Sequence, residues 1–271
     1  MNAERPPRVR LLGAEVDLVT PQMVLATVAA RVAAGAPAVI ANHNAHSLHL
    51  YRKSAKVRAF FEMADLIEVD STPVIAWGRL MGLPLSRAHR CTYLDWRDAF
   101  WGMVQAKGWR VFYLGGAPGV AERAAARLAA EWPGVSIACR DGYFDRATGG
   151  ADNRAVVDAI NAFRPDIIFV GMGMPLQEEW IAANRAAIPR GVMFSIGAAF
   201  DYEAGVQTAA PRWMGRLGLE WLFRLASQPR RLAYRYLIEP WSLAPAAWDD
   251  LRGLWPARAR PVLDVAQRPR G

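Results

Sequence analysis

A chain of 271 residues that is 53% hydrophobic and 21% charged is long enough to bury a sizeable core and too apolar to be disordered. Its net charge of +8 favours polyanionic partners: nucleic acid, phosphorylated ligands or an anionic membrane face. Two cysteines, Cys91 and Cys139, are too few for a disulfide framework and read as reduced thiols of a cytosolic protein.

MNAERPPRVRLLG at the start lacks the apolar run of a signal peptide. Residues 21–34 carry a helical pattern that ends at Gly35, and Ala38–Ala41 reads as a short buried strand. A helical pattern returns over 45–64. Leu66–Val69 is a second strand and stops at Asp70, where Ser71 or Thr72 can cap a helix with Pro73 in its first turn. Another helix is expected from Asp95 to Lys107. From 109 the rhythm is regular: strands at 109–114, 135–139, 166–170 and 191–196 alternate with helices near 118–131, 152–163 and 176–187. Short apolar strands separated by amphipathic helices predict an α/β fold, a Rossmann-like parallel sheet with helical crossovers. No segment approaches the roughly 18–20 apolar residues of a spanning helix, so any membrane contact is expected to be peripheral.

The polar and glycine residues fall at the same place in each unit. Asn42 and Asn44 follow the first strand and Asp70 the second. Gly115, Gly116 and Gly119 follow the third, Asp141-Gly142 the fourth, and GMGMPLQEEW, with Gly171, Gly173, Gln177 and Glu178, the fifth. Open parallel sheets bind ligands at the carboxyl ends of their strands, which predicts one cleft built from these loops. There Asp70 can serve as a general base or as an ordinary N-cap. The 115–119 loop can present backbone N–H groups to a phosphate or be a tight turn; it has neither GxGxxG nor P-loop spacing. Gln177 can meet a base edge or a sugar hydroxyl, and Glu178 can instead cap its helix.

His43, His46 and His49 lie within seven residues, but no Cys or acidic partner is close, so no metal site is expected. The C-terminal quarter is unusual. Residues 209–271 hold eleven arginines and no lysine against five acids, and five of the chain's eleven tryptophans. Within 213–238 apolar stripes run beside Arg216, Arg224, Arg230, Arg231 and Arg235. A basic amphipathic segment of this kind suits a membrane interface or lipid phosphates; a helix docked on the core and a nucleic-acid patch are the competing readings. The expected organisation is a catalytic core over 1–208 (lobes near 1–107 and 108–208), a basic helical appendage over 209–258, and a disordered tail over 259–271.

Five segments in order, YLGGAPGVAE (113–122), DGYF (141–144), DIIFVGMGMPLQEEW (166–180), GAAFDYEAG (197–205) and APRWMGRLGLEWLFRL…PRRLAYRYL (210–237), resemble the WecG/TagA/CpsF family of bacterial glycosyltransferases. That family includes the N-acetylmannosaminyltransferases of wall teichoic acid and enterobacterial common antigen synthesis and some exopolysaccharide glycosyltransferases. The resemblance covers residues 10–240. It implies an inverting, metal-independent transfer from a UDP-sugar to a polyprenyl-diphosphate-linked saccharide on the cytoplasmic face of the membrane, with no cofactor and no nucleic acid.

Within the resemblance Asp70 aligns with the proposed base. Asn42, Asn44, Gly115, Gly116, Gly119, Gly171, Gly173, Gln177 and Glu178 fall to the donor, and Arg90, Asp95, Arg212, Arg224 and Arg231 to the acceptor and its diphosphate. This chain departs from the family in four places: Ser71 replaces a glycine, Asn42-His43-Asn44 replaces Thr-x-Asn, Tyr93 replaces a glycine, and Ala209 replaces an arginine. The appendage leaves room for a homo-oligomer in solution. A non-catalytic nucleotide-binding or scaffold protein of a polysaccharide assembly complex is the alternative.

Overall fold

The computed structural model describes residues 6–253. The expected disordered tail, 259–271, lies outside them. The chain opens with a hairpin, β1 (Arg8–Leu11) and β2 (Ala14–Asp17), that the sequence reading had not anticipated. Its two-residue turn puts both Leu12 and Gly13 at positive φ, as a right-twisted hairpin demands. The Arg8 guanidinium grips Asp17 through two bonds of 2.8 and 2.9 Å, and Asp17 also accepts from the Ile67 amide at 2.7 Å.

Six parallel strands form the main sheet: β3 (Ala38–His43), β4 (Leu66–Val69), β5 (Arg110–Gly115), β6 (Ser136–Arg140), β7 (Ile167–Gly171) and β8 (Val192–Ser195), in the order β4-β3-β8-β7-β5-β6. Every strand pair is parallel. β8 returns to lie between β3 and β7, so one unbroken sheet joins the two expected lobes.

One face packs on α1 (Pro21–Ala33), α5 (Tyr93–Lys107), α6 (Val120–Glu131) and α9 (Ala199–Glu203). The other packs on α3 (Ala55–Met63), α7 (Ala151–Phe163) and α8 (Leu176–Asn184). Alternation along β7 shows why: Ile167 and Phe169 enter the first layer, Ile168 and Val170 the second. The helical pattern at 45–64 is two helices, α2 (Ala45–Lys53) and α3, because Ser54 is extended and caps the second one through its hydroxyl. Pro175 stands before α8 rather than inside its first turn, after a cis peptide bond.

A third core cluster gathers the hairpin, α2, α4 (Thr72–Leu80) and residues 243–247. After α10 (Arg212–Leu217), α11 (Glu220–Ser227), α12 (Pro229–Ala233) and a wider π-helical turn (Tyr234–Ile238), the chain returns to the core through a 3-10 turn (Glu239–Leu243) and α13 (Ala244–Gly253). Leu243 and Ala246 are buried there, and Asp250 accepts from the Leu12 amide and the Trp77 indole at 2.9 Å each. The basic segment is therefore a strap held at both ends. Among the described residues no helix is long and apolar enough to cross a membrane.

Candidate active site

The loops at the carboxyl ends of the strands meet, as expected of an open parallel sheet. Asp70 leaves β4 with its amide bonded to the His43 carbonyl at 2.9 Å. Its carboxyl keeps some solvent access yet is enclosed by protein. Burial pushes it up to about 7, Arg90 and Arg224 pull it down, and Glu220 and Asp95 push it up again. Ser71 caps α4 by position without a side-chain bond, with Pro73 in the first turn.

Arg90 lies beside this carboxyl because its backbone bridges Val69 and the Cys91 amide bonds the Val69 carbonyl at 2.9 Å. It is 7% exposed and binds Asp95 through two bonds of 3.1 Å and Glu220 at 2.8 Å. Two carboxylates thus already neutralise this cation. Tyr93 turns away from the cleft: its hydroxyl donates to Glu203 at 2.6 Å and accepts from the Trp101 indole at 2.8 Å.

The glycines are placed by close backbone approach. A Cβ on Gly115, at φ 150°, would lie 2.3 Å from the Gly171 carbonyl oxygen, and one on Gly171 would lie 2.5 Å from that of Gly197. The Gly116 amide bonds the Gly171 carbonyl at 3.2 Å, and the Gly142 amide bonds that of Gly116 at 3.0 Å. Gly119, at φ 79°, precedes α6 with open space on its side-chain side.

Gln177 is fully buried. Its Oε1 accepts from the amides of Gly173 and Gly197 at 3.2 and 3.1 Å, and its Nε2 donates to Glu178 at 2.7 Å. It ties the loops after β7 and β8 together, which leaves only the second hydrogen of Nε2 for the expected direct contact with nucleotide or sugar. Glu178 is 1% exposed, its Oε2 has no partner among the described residues, and burial raises its carboxyl to about 7. Asn44 is also engaged: its Oδ1 caps α2 by accepting from the His46 and Ser47 amides at 3.0 Å each. Asn42 sits at the end of β3, bonded to Glu68 and the Cys91 carbonyl.

The strap roofs the cleft. A Cβ on Gly218 would lie 2.9 Å from Thr72 Cγ2, beside Asp70. On the far side, His46 and His49 of α2 bond Glu239 at 2.5 Å and Ser242 at 2.6 Å. Beneath the roof Arg224 and Arg235 each have a buried Nε without a partner among the described residues. Burial, with Arg224 nearby, pushes Arg235 below the usual arginine range. Half-buried guanidiniums that form no carboxylate ion pair among the described residues, each with its Nε buried, favour an anion that completes them.

Sequence reasoning had not placed Arg235 in the site; its signal was the chain's arginine-rich stripe, without a fold to aim it. Arg231 is exposed near Asp201, whose carboxyl it lowers against the rise from burial. Arg212 begins α10, and its side chain lies outside the described residues. The cavities here are small: about 230 Å³ beside Arg224 and Gln228, and about 190 Å³ beside Arg87, Arg90 and Asp95. Asp70 lines neither cavity, and both are smaller than the roughly 300–1,000 Å³ typical of ligand pockets.

Fold and site together define an α/β enzyme whose cleft joins a carboxyl poised near neutrality to a group of arginines. The sequence matches the family described as Glycosyl transferase WecG/TagA/CpsF over residues 9–255, and the chain belongs to that family of glycosyltransferases. It is similar to the N-acetylglucosaminyldiphosphoundecaprenol N-acetyl-beta-D-mannosaminyltransferases of Staphylococcus aureus strains MW2 and NCTC 8325. Each is 32% identical over 178 residues, which is 65% of this chain and 67% of the relative.

Proposed function

We propose that this glycosyltransferase moves a sugar from a UDP-sugar onto a polyprenyl-diphosphate-linked saccharide, with inversion and without a metal, at the inner face of the cell membrane. The observation that carries the reading is Asp70, a carboxyl titrating near 7 at the foot of a cleft roofed by arginines. A base of that strength can take the proton of an acceptor hydroxyl as it attacks the anomeric carbon. The departing diphosphate charge then needs positive partners. Arg224 and Arg235 supply them, with backbone N–H groups of the 115–119 loop at the start of α6.

Arg90 acts differently. Its ion pairs with Asp95 and Glu220 make it a strut that places α11, and so Arg224, over Asp70. The acceptor class is carried over from the Staphylococcus aureus relatives, whose name specifies a diphosphoundecaprenol acceptor. Exposed Trp213, Trp221, Leu237, Ile238 and Trp241 on the strap, with Arg230 and Arg231, suit a membrane surface bearing that lipid.

The test is a panel of UDP-sugars incubated with the protein and a short polyprenyl-diphosphate-GlcNAc or -glucose acceptor, with and without EDTA. UDP release that depends on acceptor and survives EDTA is expected from one donor. Silence across the panel, with no UDP binding, overturns the reading in favour of a scaffold; loss with EDTA overturns the metal-free mechanism alone.

A further inference from the structure

β4 reads Leu66-Ile67-Glu68-Val69 and is buried along its whole length, yet one of its four residues is a glutamate. Glu68 is 4% exposed. Its Oε1 accepts from Asn42 Nδ2 at 3.2 Å, and its Oε2 has no partner among the described residues. Burial raises this carboxyl to about 8, so it is neutral at pH 7. An apolar residue would fit the strand at less cost, since an unpartnered buried polar group is destabilising. Departures of this kind from local folding rules concentrate at functional sites.

What Glu68 touches supplies the reason. The Asn42 amide nitrogen donates to Glu68 and, at 3.4 Å, to the Cys91 carbonyl. A backbone carbonyl can only accept, so the amide orientation is fixed with nitrogen inward. Oδ1 is left on the other side. It has no partner among the described residues and is not a buried unsatisfied atom, so it is open to the cleft. Asn42 pairs with Glu68 across the strands, His43 pairs with Val69, and the Asp70 amide bonds the His43 carbonyl. The open oxygen therefore stands at the same strand ends as Asp70.

We propose that Glu68 is a positioning residue that locks Asn42 with its amide oxygen facing the cleft, making Asn42 a fixed acceptor that selects donor sugars offering a hydroxyl or acetamido N–H at that point. The proposal rests on the transferase reading above. It assigns specificity to a pair in which one member never meets the sugar. A pre-set acceptor discriminates because a sugar lacking the donor group leaves it unpaired in a desolvated site.

The test compares wild type, Glu68→Gln and Glu68→Met on UDP-glucose, UDP-GlcNAc, UDP-N-acetylmannosamine and UDP-glucuronate, reading kcat/KM, the Kd of UDP alone and Tm. Met removes the acceptor for Asn42 while filling the strand with apolar volume. The ratio of kcat/KM between the best and second donor should fall about tenfold, the worth of one hydrogen bond. UDP affinity should stay level and Tm should hold or rise. Gln keeps an acceptor oxygen and should restore the ratio. An unchanged ratio in Glu68→Met overturns the proposal, as does a loss of activity that merely follows a fall in Tm and that Gln does not rescue. A wild-type chain that uses no donor overturns this proposal and the transferase reading together; turnover with an unaltered ratio overturns this one alone.

Discussion

Arg90 and Glu220 meet at 2.8 Å across the seam between the sheet and the strap, and Glu220 lies one helical turn before Arg224 on α11. Residues four apart share a helix face, so the ion pair that fixes Glu220 also fixes where Arg224 points. Glu220 is itself 36% exposed on its side chain, which limits the pair's contribution to stability to about 1 kcal/mol or less. Glu220→Ala should therefore leave Tm nearly level while transfer falls about tenfold through a misplaced Arg224. Steady-state kinetics beside thermal unfolding check this; a fall in Tm that matched the loss of activity would reduce the pair to a structural contact.

Asp70 gives a pH signature. Its carboxyl is raised from 3.8 to about 7, chiefly by burial. As a base it must be ionised, so kcat/KM should fall tenfold per unit below about pH 7 and level off above it. Asp70→Asn should cut turnover by about 10²–10⁴-fold, the usual worth of a positioned base, and leave UDP-sugar affinity within about threefold. The stability sign runs the other way. A carboxyl whose pKa is raised on folding favours the fold fully below about pH 4, and that contribution is lost as pH rises through about 7. Asp70→Asn should accordingly raise Tm most at pH 8 and by much less at pH 5. A pH-independent rate, or equal Tm differences at both pH values, would count against a buried base here.

Much of this site is visible in the sequence because strand and loop chemistry are local. Asp70 sits between an apolar run and a Ser-Thr-Pro helix start. The glycines at 115, 116, 119, 171 and 173 stand where strands turn into helices, and Arg224 belongs to a basic stripe. The missing parts are long-range. The hairpin strands are four residues each, too short for alternation to show, and the Arg8–Asp17 pair that holds them is meaningful only against Ile67. Nothing local distinguishes Leu243 and Ala246, which enter the core, from Trp241 and Trp248, which stay exposed. Gln177 shows the converse: its position at the cleft is legible, but the backbone amides that occupy it come from two loops twenty-four residues apart.

That double acceptance makes Gln177 a stability residue. Gln177→Ala would strand the Gly173 and Gly197 amides and remove the donor to Glu178. The buried Glu178 carboxyl left unpaired costs about 1–3 kcal/mol, and the exposed Gly173 and half-buried Gly197 amides cost less because water can reach them, so a loss of about 2 kcal/mol is expected in urea unfolding. Unchanged stability with a raised donor KM would instead return Gln177 to the role of a direct ligand contact.

The membrane reading needs a test that respects the strap's double anchorage. Truncation at 209 removes the basic surface, but it also removes Leu243, Ala246 and Asp250, which complete the third core cluster and bond the Leu12 amide and the Trp77 indole. A truncated chain that failed to bind vesicles would report misfolding as readily as a lost anchor. Leu237, Ile238 and Trp241 avoid this difficulty, since they are 51%, 53% and 76% exposed. Replacing all three by Ser deletes apolar surface without opening the core, and exposed substitutions of this kind usually change stability by about 0.5 kcal/mol or less. Binding to vesicles with anionic headgroups should fall at least tenfold, with Tm and UDP-sugar affinity unchanged. Raising salt from 0.15 to 0.5 M, about the range over which exposed charges become screened, should weaken wild-type binding further through Arg230 and Arg231. Equal vesicle binding by the triple variant and wild type would move the contact elsewhere on the chain and leave the strap as a lid alone.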